Sequence, residues 1–406
     1  MSVAYIYIEH PVTGVVDTLG KLTLKNGSGE LTYSPEAQAG RAWVPDPITY
    51  PATIQHHVIT TNGGVPGFID DATPDGWGER VLQCMQKDRV TRMDLLMKSP
   101  NCDRVGNVMI GRELHPPAGI GQKKLPDLEP KGLGEFIDVC EAISDGQVDD
   151  ETLRTLRVKE QRSSLGGVRP KRTYSGDGKL ILAKPRDRYD EHNLPVVEHA
   201  CMTFAKTKGM RVANTALHID DRGTTLLVDR FDRKIVGGQF RRVPMLSALT
   251  LFNAEWKATD HSGWMYAKLA DELFRRGAPD EDRQELYMRM AFNALAGNED
   301  DHARNHAVIW EQGGWRLSPM YDVLPILGQG PAQALSMSVG VDGPRLSRAN
   351  LLSQHQHFAL TEEEAAGCLD RVAGWAAELK EFYAAFLEGP ELDLACESVG
   401  ASRLLA

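Results

Sequence analysis

The stretch from Gly297 to Asp322, GNEDDHARNHAVIWEQGGWRLSPMYD, decides how the second half of this chain folds. Two short apolar runs, AVIW and WRLS, flank the pair Gly313–Gly314, and this pattern is typical of a β-hairpin with a tight turn. A hairpin folds back on itself, so it can bring Asp322 close to Asn305 although the two residues lie apart in sequence. The stretch therefore predicts a cluster of polar side chains at the open end of a hairpin.

The polar residues of this stretch are those that phosphoryl transfer from ATP requires. One Asp orients and deprotonates the attacking hydroxyl, while an Asn and a second Asp hold Mg²⁺ through oxygen atoms, which suit a hard ion. Protein kinases place four residues between the catalytic Asp and the Asn, followed by a hairpin and the metal-binding Asp. This spacing favours Asp300 over Asp301 as the catalytic acid, with Asn305 and Asp322 as metal ligands. Taken alone, the same residues equally fit a helix end capped by acids and a polar turn.

A zinc site is the alternative chemical interpretation of this stretch. His302 and His306 are four residues apart, as in a helical pair of zinc ligands. The Glu of the His-Glu-x-x-His pattern is missing, however, and no third ligand is evident. Asn and Asp also compete with local helix formation. The six cysteines are scattered and include no Cys-x-x-Cys pair, so they do not predict a zinc site either.

A glycine-containing segment, SSLGGVRPK at residues 163–171, predicts a phosphate-binding loop. Gly166 and Gly167 have no side chain, so their backbone N–H groups can approach phosphate oxygens. Lys184 ends the predicted strand KLILAK, and in kinases a strand Lys pairs with the ATP phosphates and with a helix Glu. Glu198, on the next predicted helix, is the natural partner. A lone Gly-Gly pair is more often a surface turn, so the chain order of loop, Lys and Glu carries this prediction.

Two other segments have weaker interpretations. The apolar strand of LLVDRFDR runs into Asp229, Arg230 and Phe231, which would serve as a hinge whose backbone bonds adenine. A plain hairpin strand with a charged end is an equal alternative. TPDGWGER, in the first part of the chain, has no catalytic interpretation, because Pro74 and Gly76 fit a turn into a helix and Trp77 is expected to pack in the core.

The order of elements predicts two folded parts. Residues 3–8 and the short alternating runs after them predict a small β-sheet, followed by a helix that starts near Pro74 or Asp75. We assign residues 1–115 to an N-terminal domain, the Pro-, Gly- and Lys-rich residues 116–132 to a linker, and residues 133–406 to a larger second domain. The helical run YMRMAFNALAG is predicted to be a buried helix that leads directly into the stretch quoted above.

Composition narrows the function classes. The chain has 406 residues, with 46 basic and 56 acidic side chains and a net charge of -10, which argues against a general nucleic-acid binder. No apolar run approaches the ~18 residues that would span a bilayer. Without a signal peptide, the cysteines are best interpreted as reduced thiols in a cytoplasmic protein with no membrane partner.

Taken together, these segments resemble the HipA family of bacterial serine/threonine kinases, the toxin half of HipB–HipA-type modules. FIDDATPDGWGERVL and DRVGNVMIG are similar to the N-terminal domain of that family. SSLGGVRPK, ILAKP, VEHACMTFAKTKGM and LLVDRFDR resemble the nucleotide-binding half of its kinase domain, and GNEDDHARNHAVI and LSPMYDVLP resemble its catalytic and metal-binding segments. The implied fold class is α+β: a small N-terminal α/β domain, then a protein-kinase-like bilobal domain with a mostly helical C-terminal lobe.

The resemblance also implies roles for individual residues. Asp300 would be the catalytic base, and Asn305 and Asp322 would hold Mg²⁺. Ser164 would be the site of autophosphorylation, which in this family ejects the glycine-rich loop and stops ATP binding; the added negative charge would repel the nucleotide phosphates. The residues expected to contact ATP are Ser164, Gly166, Gly167, Lys171, Lys184, Glu198, Asp229, Arg230, Phe231, His302 and Asn305.

The implied function is that of an ATP- and Mg²⁺-dependent serine/threonine protein kinase acting as a toxin. Family targets include aminoacyl-tRNA synthetases, and the usual partner is a small helix-turn-helix antitoxin of the HipB type, through which most DNA contact would occur. The Gly-Gly-Val-Arg-Pro-Lys form of the loop leaves substrate and toxicity open. Two alternatives remain: a small-molecule kinase on a similar fold, which uses the same acid–amide–acid set, and a catalytically idle co-repressor.

Overall fold

The computed structural model describes residues 2–158, 167–257 and 261–406. In chain order the strands are β1 (Ser2–Glu9), β2 (Val16–Lys25), β3 (Ser28–Tyr33), β4 (His56–Ile59), β5 (Val108–Gly111), β6 (Arg172–Gly176), β7 (Lys179–Pro185), β8 (Thr215–Asp220), β9 (Gly223–Asp229), β10 (Arg233–Val236), β11 (Gln239–Arg242), β12 (Met245–Ser247), β13 (Ala307–Glu311) and β14 (Gly314–Leu317).

The α-helices are, in the same order, α1 (Pro35–Gln38), α2 (Gly67–Asp70), α3 (Gly76–Cys84), α4 (Arg92–Lys98), α5 (Pro130–Ser144), α6 (Asp150–Val158), α7 (Leu194–Thr207), α8 (Ala248–Leu251), α9 (Tyr266–Arg275), α10 (Asp280–Ala296), α11 (Arg348–Leu352), α12 (Glu362–Gly374), α13 (Ala376–Tyr383), α14 (Gly389–Ser398) and α15 (Ser402–Leu405). Short 3₁₀ turns lie at Asn62–Gly64, Ala303–Asn305 and His355–Phe358. In the ranges given above, no helix has the length and apolar character needed to cross a membrane.

The chain forms two compact units, each defined by contacts among its own residues. The first comprises Met1–Tyr189 and Ile219–Leu246, and the second comprises Asp190–His218 and Ser247–Ala406. The first unit thus contains both the predicted N-terminal domain and the strands assigned to the nucleotide-binding half. The domain boundaries at residues 115 and 133 stay predictions.

An antiparallel five-stranded sheet forms the N-terminal part of the first unit, in the order β4-β3-β2-β1-β5. Ile6, Leu22 and Leu31 are fully buried in it. The predicted helix after this sheet begins at Gly76, and Trp77 on its first turn is 1% exposed within a core that includes Phe136 and Tyr174. The predicted strand at residues 3–8 and the packing of Trp77 are therefore confirmed.

A second antiparallel sheet of the first unit has the order β6-β7-β9-β8, and β8 enters this unit at Ile219. The central strand β7 pairs Lys184 with Leu226 on β9. The end of the segment assigned to the linker also joins this sheet, because Leu128 N–H donates to Ser175 O at 2.8 Å. The hairpin β10–β11, which turns at Gly237 and Gly238, was not predicted from the sequence.

Buried arginines hold part of the first unit together. Arg230, with a side chain 6% exposed, contacts the Asp103 carboxylate at 2.7 Å and that of Asp232 at 2.8 Å. Arg233 pairs with the same Asp232 at 2.6 Å. Burial alone would raise the pKa of the Asp232 carboxyl, but the Arg230 and Arg233 charges hold it well below its ordinary value. The carboxylate is therefore ionised, and the cluster is a network of compensated buried charges.

In the second unit, α10 is the buried helix that the sequence predicts. Tyr287, Met290 and Leu295 on it are fully buried. The helix ends at Gly297, whose φ of 82° is left-handed, a conformation that glycine adopts without steric cost. The N–H groups of Gly297 and Asn298 both donate to Asn293 O, at 3.1 and 3.0 Å. This C-cap sets the direction in which the chain enters the polar stretch.

The predicted hairpin follows that stretch as β13 and β14. Val308 pairs with Leu317, and Glu311 pairs with Gly314. The two turn residues are thus Gln312 and Gly313, with φ of 51° and 86°, as in a type I′ turn. The hairpin is confirmed, and its turn lies one residue earlier than the Gly313–Gly314 pair suggests.

Candidate active site

A chain of buried polar side chains fixes the start of the loop after α10. Asp301, 2% exposed, accepts hydrogen bonds from Tyr266 Oη and, at 2.9 Å, from His306 Nε2. Tyr266 Oη in turn accepts from Asn293 Nδ2 at 3.2 Å. Each of these groups is buried and has a partner, which avoids the cost of an unsatisfied polar atom. Asp301 is therefore a structural acid that holds the loop.

Asp300, the neighbour of Asp301, is exposed. Its backbone carbonyl accepts from Asn305 Nδ2 at 3.3 Å, and Asn305 N–H donates to His302 O at 2.8 Å. These bonds close the loop into a compact 3₁₀ turn. Asp300 is thus accessible at the surface, whereas Asn305 is 7% exposed. The structure gives the two adjacent acids different surroundings, and the catalytic role of Asp300 stays a prediction.

The hairpin returns the chain to this loop. Ser318 N–H donates to Ala307 O at 2.9 Å, and Tyr321 Oη donates to Arg304 O at 2.8 Å. Beyond Asp322, Ile326 N–H donates to Gly297 O at 3.0 Å. Asp322 thus lies in sequence between two residues, Tyr321 and Ile326, that bond the segment 297–304, and its approach to Asn305 stays a prediction.

Asp322 also has an uncommon backbone conformation. Its φ is 60°, in the left-handed region that non-glycine residues seldom occupy, and the residue is half-buried. Such conformations cost free energy and are concentrated at functional sites. The observation agrees with a role for the Asp322 carboxylate that depends on its direction.

The donor set fits a hard divalent ion better than zinc. Mg²⁺ is usually bound by one or two protein oxygens together with substrate phosphates, and Asn305 Oδ1 and the Asp322 carboxylate are of that type. Within the part of the chain that the structure describes, no group of three or more His, Cys, Asp or Glu could hold a metal ion. His302 and His306 lie at a 3₁₀ turn rather than on an α-helix, and His306 Nε2 bonds Asp301. The helical pair required by the zinc alternative is therefore not formed.

His302, which the resemblance assigns to the nucleotide, packs against an aromatic ring. Its ring lies edge-on to Trp256 with the centroids 4.7 Å apart. The Arg304 guanidinium lies 4.8 Å from the centroid of the same Trp256 ring. Through both contacts the loop packs against the Trp256 ring. A nucleotide contact of His302 stays a prediction.

The residues predicted to bind the phosphates occupy several positions in the fold. Lys184 lies half-buried on β7 in the first unit, and Glu198 lies on α7 in the second unit, 6% exposed. Buried carboxylates are rare without a partner, so the position of Glu198 agrees with a paired role. Ser164 and Gly166 lie outside the described residues. The roles of Lys184 and Glu198 stay predictions.

Gly167 has bonds that the sequence did not indicate. Its N–H donates to the Asp75 carboxylate, and its carbonyl accepts from Trp77 N–H at 2.9 Å. The segment TPDGWGER, which had no catalytic interpretation, thus binds both the N–H and the C=O of Gly167. The N–H predicted to approach phosphate is used within the protein here, while Lys171 Nζ lies beside the Gly167 Cα.

The predicted hinge is only partly open to a base. Arg230 N–H donates to Leu180 O at 2.8 Å, and its guanidinium belongs to the buried arginine cluster described above. The Asp229 carboxylate accepts from Lys179 Nζ at 2.8 Å. The N–H and the guanidinium of Arg230 are thus bonded within the first unit, and a cofactor contact of Arg230 stays a prediction, like those of Asp229 and Phe231.

The fold and the site define a protein of the kinase-like α+β class, with a small N-terminal α/β part and a mostly helical C-terminal part. Residues 163–379, more than half of the chain, match the family model of the HipA-like C-terminal domain. The chain therefore belongs to the HipA family.

One curated sequence and one solved structure show how similar this chain is to known proteins. The chain is 24% identical over 205 residues to the serine/threonine-protein kinase toxin HipA of Shewanella oneidensis, a match that covers 44% of this chain and 47% of that relative. The chain thus spans about half the length of this curated relative. A solved structure of the same organism's toxin–antitoxin system, a complex of HipA, HipB and operator DNA, matches with a TM-score of 0.70 at 17% identity, covering 99% of this chain and 96% of that chain. This similarity shows the same fold.

The different surroundings of the two adjacent acids predict different effects of the same substitution. Asp301→Asn places an amide where Tyr266 and His306 both donate, so we expect the free energy of unfolding to fall by about 1–3 kcal/mol. Tyr266→Phe, which removes one of those donors, should cost a similar amount. Urea denaturation followed by circular dichroism measures both. Equal stability of Asp301→Asn and the parent protein would contradict the structural role of Asp301.

Proposed function

We propose that this protein is an ATP- and Mg²⁺-dependent serine/threonine protein kinase that acts as a bacterial toxin. The observation that carries the proposal is the loop at residues 300–305: Asp300 is exposed, Asn305 Nδ2 donates to the Asp300 carbonyl, and Tyr321, the neighbour of Asp322, donates to Arg304 O. Membership of the HipA family supports it, since a relative is named as a kinase toxin.

The proposed chemistry uses the loop residues directly. The Asp300 carboxylate accepts the proton of a serine or threonine hydroxyl as its oxygen attacks the γ-phosphorus of ATP. The new phosphorus–oxygen bond forms as the bond to the β,γ-bridging oxygen breaks, and ADP leaves. Mg²⁺ held by Asn305 Oδ1 and the Asp322 carboxylate would neutralise negative charge on the phosphates. Lys184 would bind a phosphate of the same nucleotide.

Regulation, partners and location follow as parts of the same proposal. Phosphorylation of Ser164 would add negative charge beside the nucleotide phosphates and lower ATP affinity. A HipB-like helix-turn-helix antitoxin would be the partner, as the HipA–HipB–operator complex of the similar structure suggests. The net charge of -10 leaves most DNA contact to that partner. The acceptor would be a cytoplasmic protein of translation, such as an aminoacyl-tRNA synthetase.

Transfer of labelled phosphate tests this proposal. Purified protein is incubated with γ-labelled ATP, Mg²⁺ and an extract of bacterial cells, with a matched reaction containing EDTA. We expect label on this protein and on at least one extract protein, only when Mg²⁺ is present. Label in small metabolites alone would indicate a small-molecule kinase. No binding of Mg-ATP by folded protein would favour the co-repressor alternative.

A further inference from the structure

The turn at residues 75–77, named here the DGW turn, contacts the backbone of Gly167. The Asp75 carboxylate accepts the Gly167 N–H, and Trp77 N–H donates to the Gly167 carbonyl at 2.9 Å. The N–H and the C=O of Gly167 are thus both bound by this turn. All of these residues belong to the first unit.

Gly76, which lies between Asp75 and Trp77, has no room for a side chain. Gly76 has a φ of 45°, and a Cβ added there would lie 2.6 Å from the Gly167 carbonyl oxygen. Next to it, Trp77 is 1% exposed and packs in a core with Tyr174 and Ala183, so the end of the turn is anchored in that core. The close approach of Gly167 thus depends on a glycine at position 76 and on a buried tryptophan beside it.

Asp75 makes a contact unusual for its position. It is the N-cap residue of α3, where an Asp side chain ordinarily accepts an N–H of its own helix. In the described ranges of the chain its side chain makes no such capping bond. The carboxylate instead reaches Gly167, which lies 92 residues away in sequence.

A carboxylate and a phosphate compete for the same kind of donor. Backbone N–H groups of glycine-rich loops bind anions, and the hydrogen bond is strongest when the acceptor is charged. Asp75 already supplies an anion to Gly167 N–H, and its negative charge repels a second anion at short distance. Lys171 Nζ lies so near Gly167 that a Cβ added there would be 2.4 Å from it, which places a cation where either anion would be favoured.

We propose that the Asp75 carboxylate competes with a nucleotide phosphate for the N–H of Gly167, so that the DGW turn lowers the affinity of the kinase for ATP. This inference rests on the proposed function, because it takes Gly167 to be part of a nucleotide site. It assigns to the N-terminal segment TPDGW an inhibitory role at that site, with Asp75 acting through the N–H of Gly167.

The test compares two ligands that differ in phosphate. Calorimetry measures the dissociation constants of a non-hydrolysable ATP analogue with Mg²⁺ and of adenosine, for the parent, Asp75→Asn and Asp75→Ala. We expect both variants to bind the ATP analogue about three- to tenfold more tightly, with the larger change for Asp75→Ala, while adenosine affinity stays unchanged. Asp88→Asn, which removes an exposed acid beyond the end of α3 in the same unit, is the matched control and should leave both constants unchanged.

Each other outcome overturns the inference. Unchanged or weaker binding of the ATP analogue would show that Asp75 does not compete with phosphate. Equal tightening for adenosine would indicate a general structural effect instead. A parent protein that binds neither ligand would overturn the proposed function together with this inference, whereas a parent that binds the analogue with no response to Asp75 substitution overturns only the inference.

Discussion

Asp300→Asn is expected to lower the rate of phosphate transfer by about 10²–10⁴-fold while leaving the fold and Mg-ATP binding intact. The amide cannot accept the proton of the attacking hydroxyl, so the loss falls on the chemical step. Asp300 is exposed. Its backbone carbonyl accepts the hydrogen bond from Asn305 Nδ2, and the substitution retains that carbonyl. Initial rates with labelled ATP, together with the dissociation constant of Mg-ATP, measure the two effects separately.

The control for this prediction is Asp342→Asn, the same chemical change at another exposed acid of the second unit. It should transfer phosphate at the parental rate. Parental activity of Asp300→Asn would contradict the assignment of the base. Loss of Mg-ATP binding in that variant would instead place Asp300 among the groups that hold the nucleotide.

Arg230→Ala is expected to lower the stability of the first unit by about 3–5 kcal/mol, because it leaves buried carboxylates without their cation. The Arg230, Asp103 and Asp232 side chains are 6%, 3% and 5% exposed, so water does not replace the lost partner. Hydrogen–deuterium exchange of peptides from residues 100–110 and 172–185, as a function of urea, reports on this unit specifically.

The surface pair Arg222–Asp138 supplies the matched control for Arg230. The two side chains are 41% and 58% exposed, so Arg222→Ala should change exchange in the same peptides very little. Equal effects of the two substitutions would show that burial of the arginine cluster does not matter for stability.

The same cluster predicts how stability depends on pH. The pKa of Asp232 is lowered in the folded protein because the Arg230 and Arg233 charges outweigh its burial. Its contribution is therefore fully present above the ordinary Asp pKa of about 3.9 and is lost as the pH falls below that value. Asp232→Asn should remove this part of the acid sensitivity of the first unit.

Local sequence patterns were sufficient for the elements that carry the loop. The helical spacing of Tyr287, Met290 and Leu295 predicts α10, and the Gly-containing turn between two apolar runs predicts the hairpin β13–β14. These signals are local because hydrogen bonds within one helix or one hairpin decide them. The hairpin β10–β11 also has a Gly-Gly turn, at Gly237–Gly238, but its strands are short and rich in charged residues, so they lack the apolar runs of β13–β14.

Contacts between distant residues could not be predicted in the same way. The spacing to Asn305 favours Asp300 over Asp301, but it does not show that Tyr266 and His306 bind the Asp301 carboxylate. Arg230 stands in a motif that resembles a hinge, but its partner Asp103 comes from a segment 127 residues away. Spacing along the chain carries no information about such pairs, so the sequence predicts candidate site residues and leaves their supporting contacts unknown.

The proposed kinase requires Asn305 and Asp322 together to hold a divalent ion at a nucleotide phosphate. Electron paramagnetic resonance of Mn²⁺, titrated in the presence of ATP, measures this directly in the parent, Asn305→Ala and Asp322→Asn. We predict a ternary complex in the parent and at least tenfold weaker Mn²⁺ binding in both variants, since each loses one of the proposed oxygen ligands. Mn²⁺ affinity that is equal in all three proteins would contradict the account.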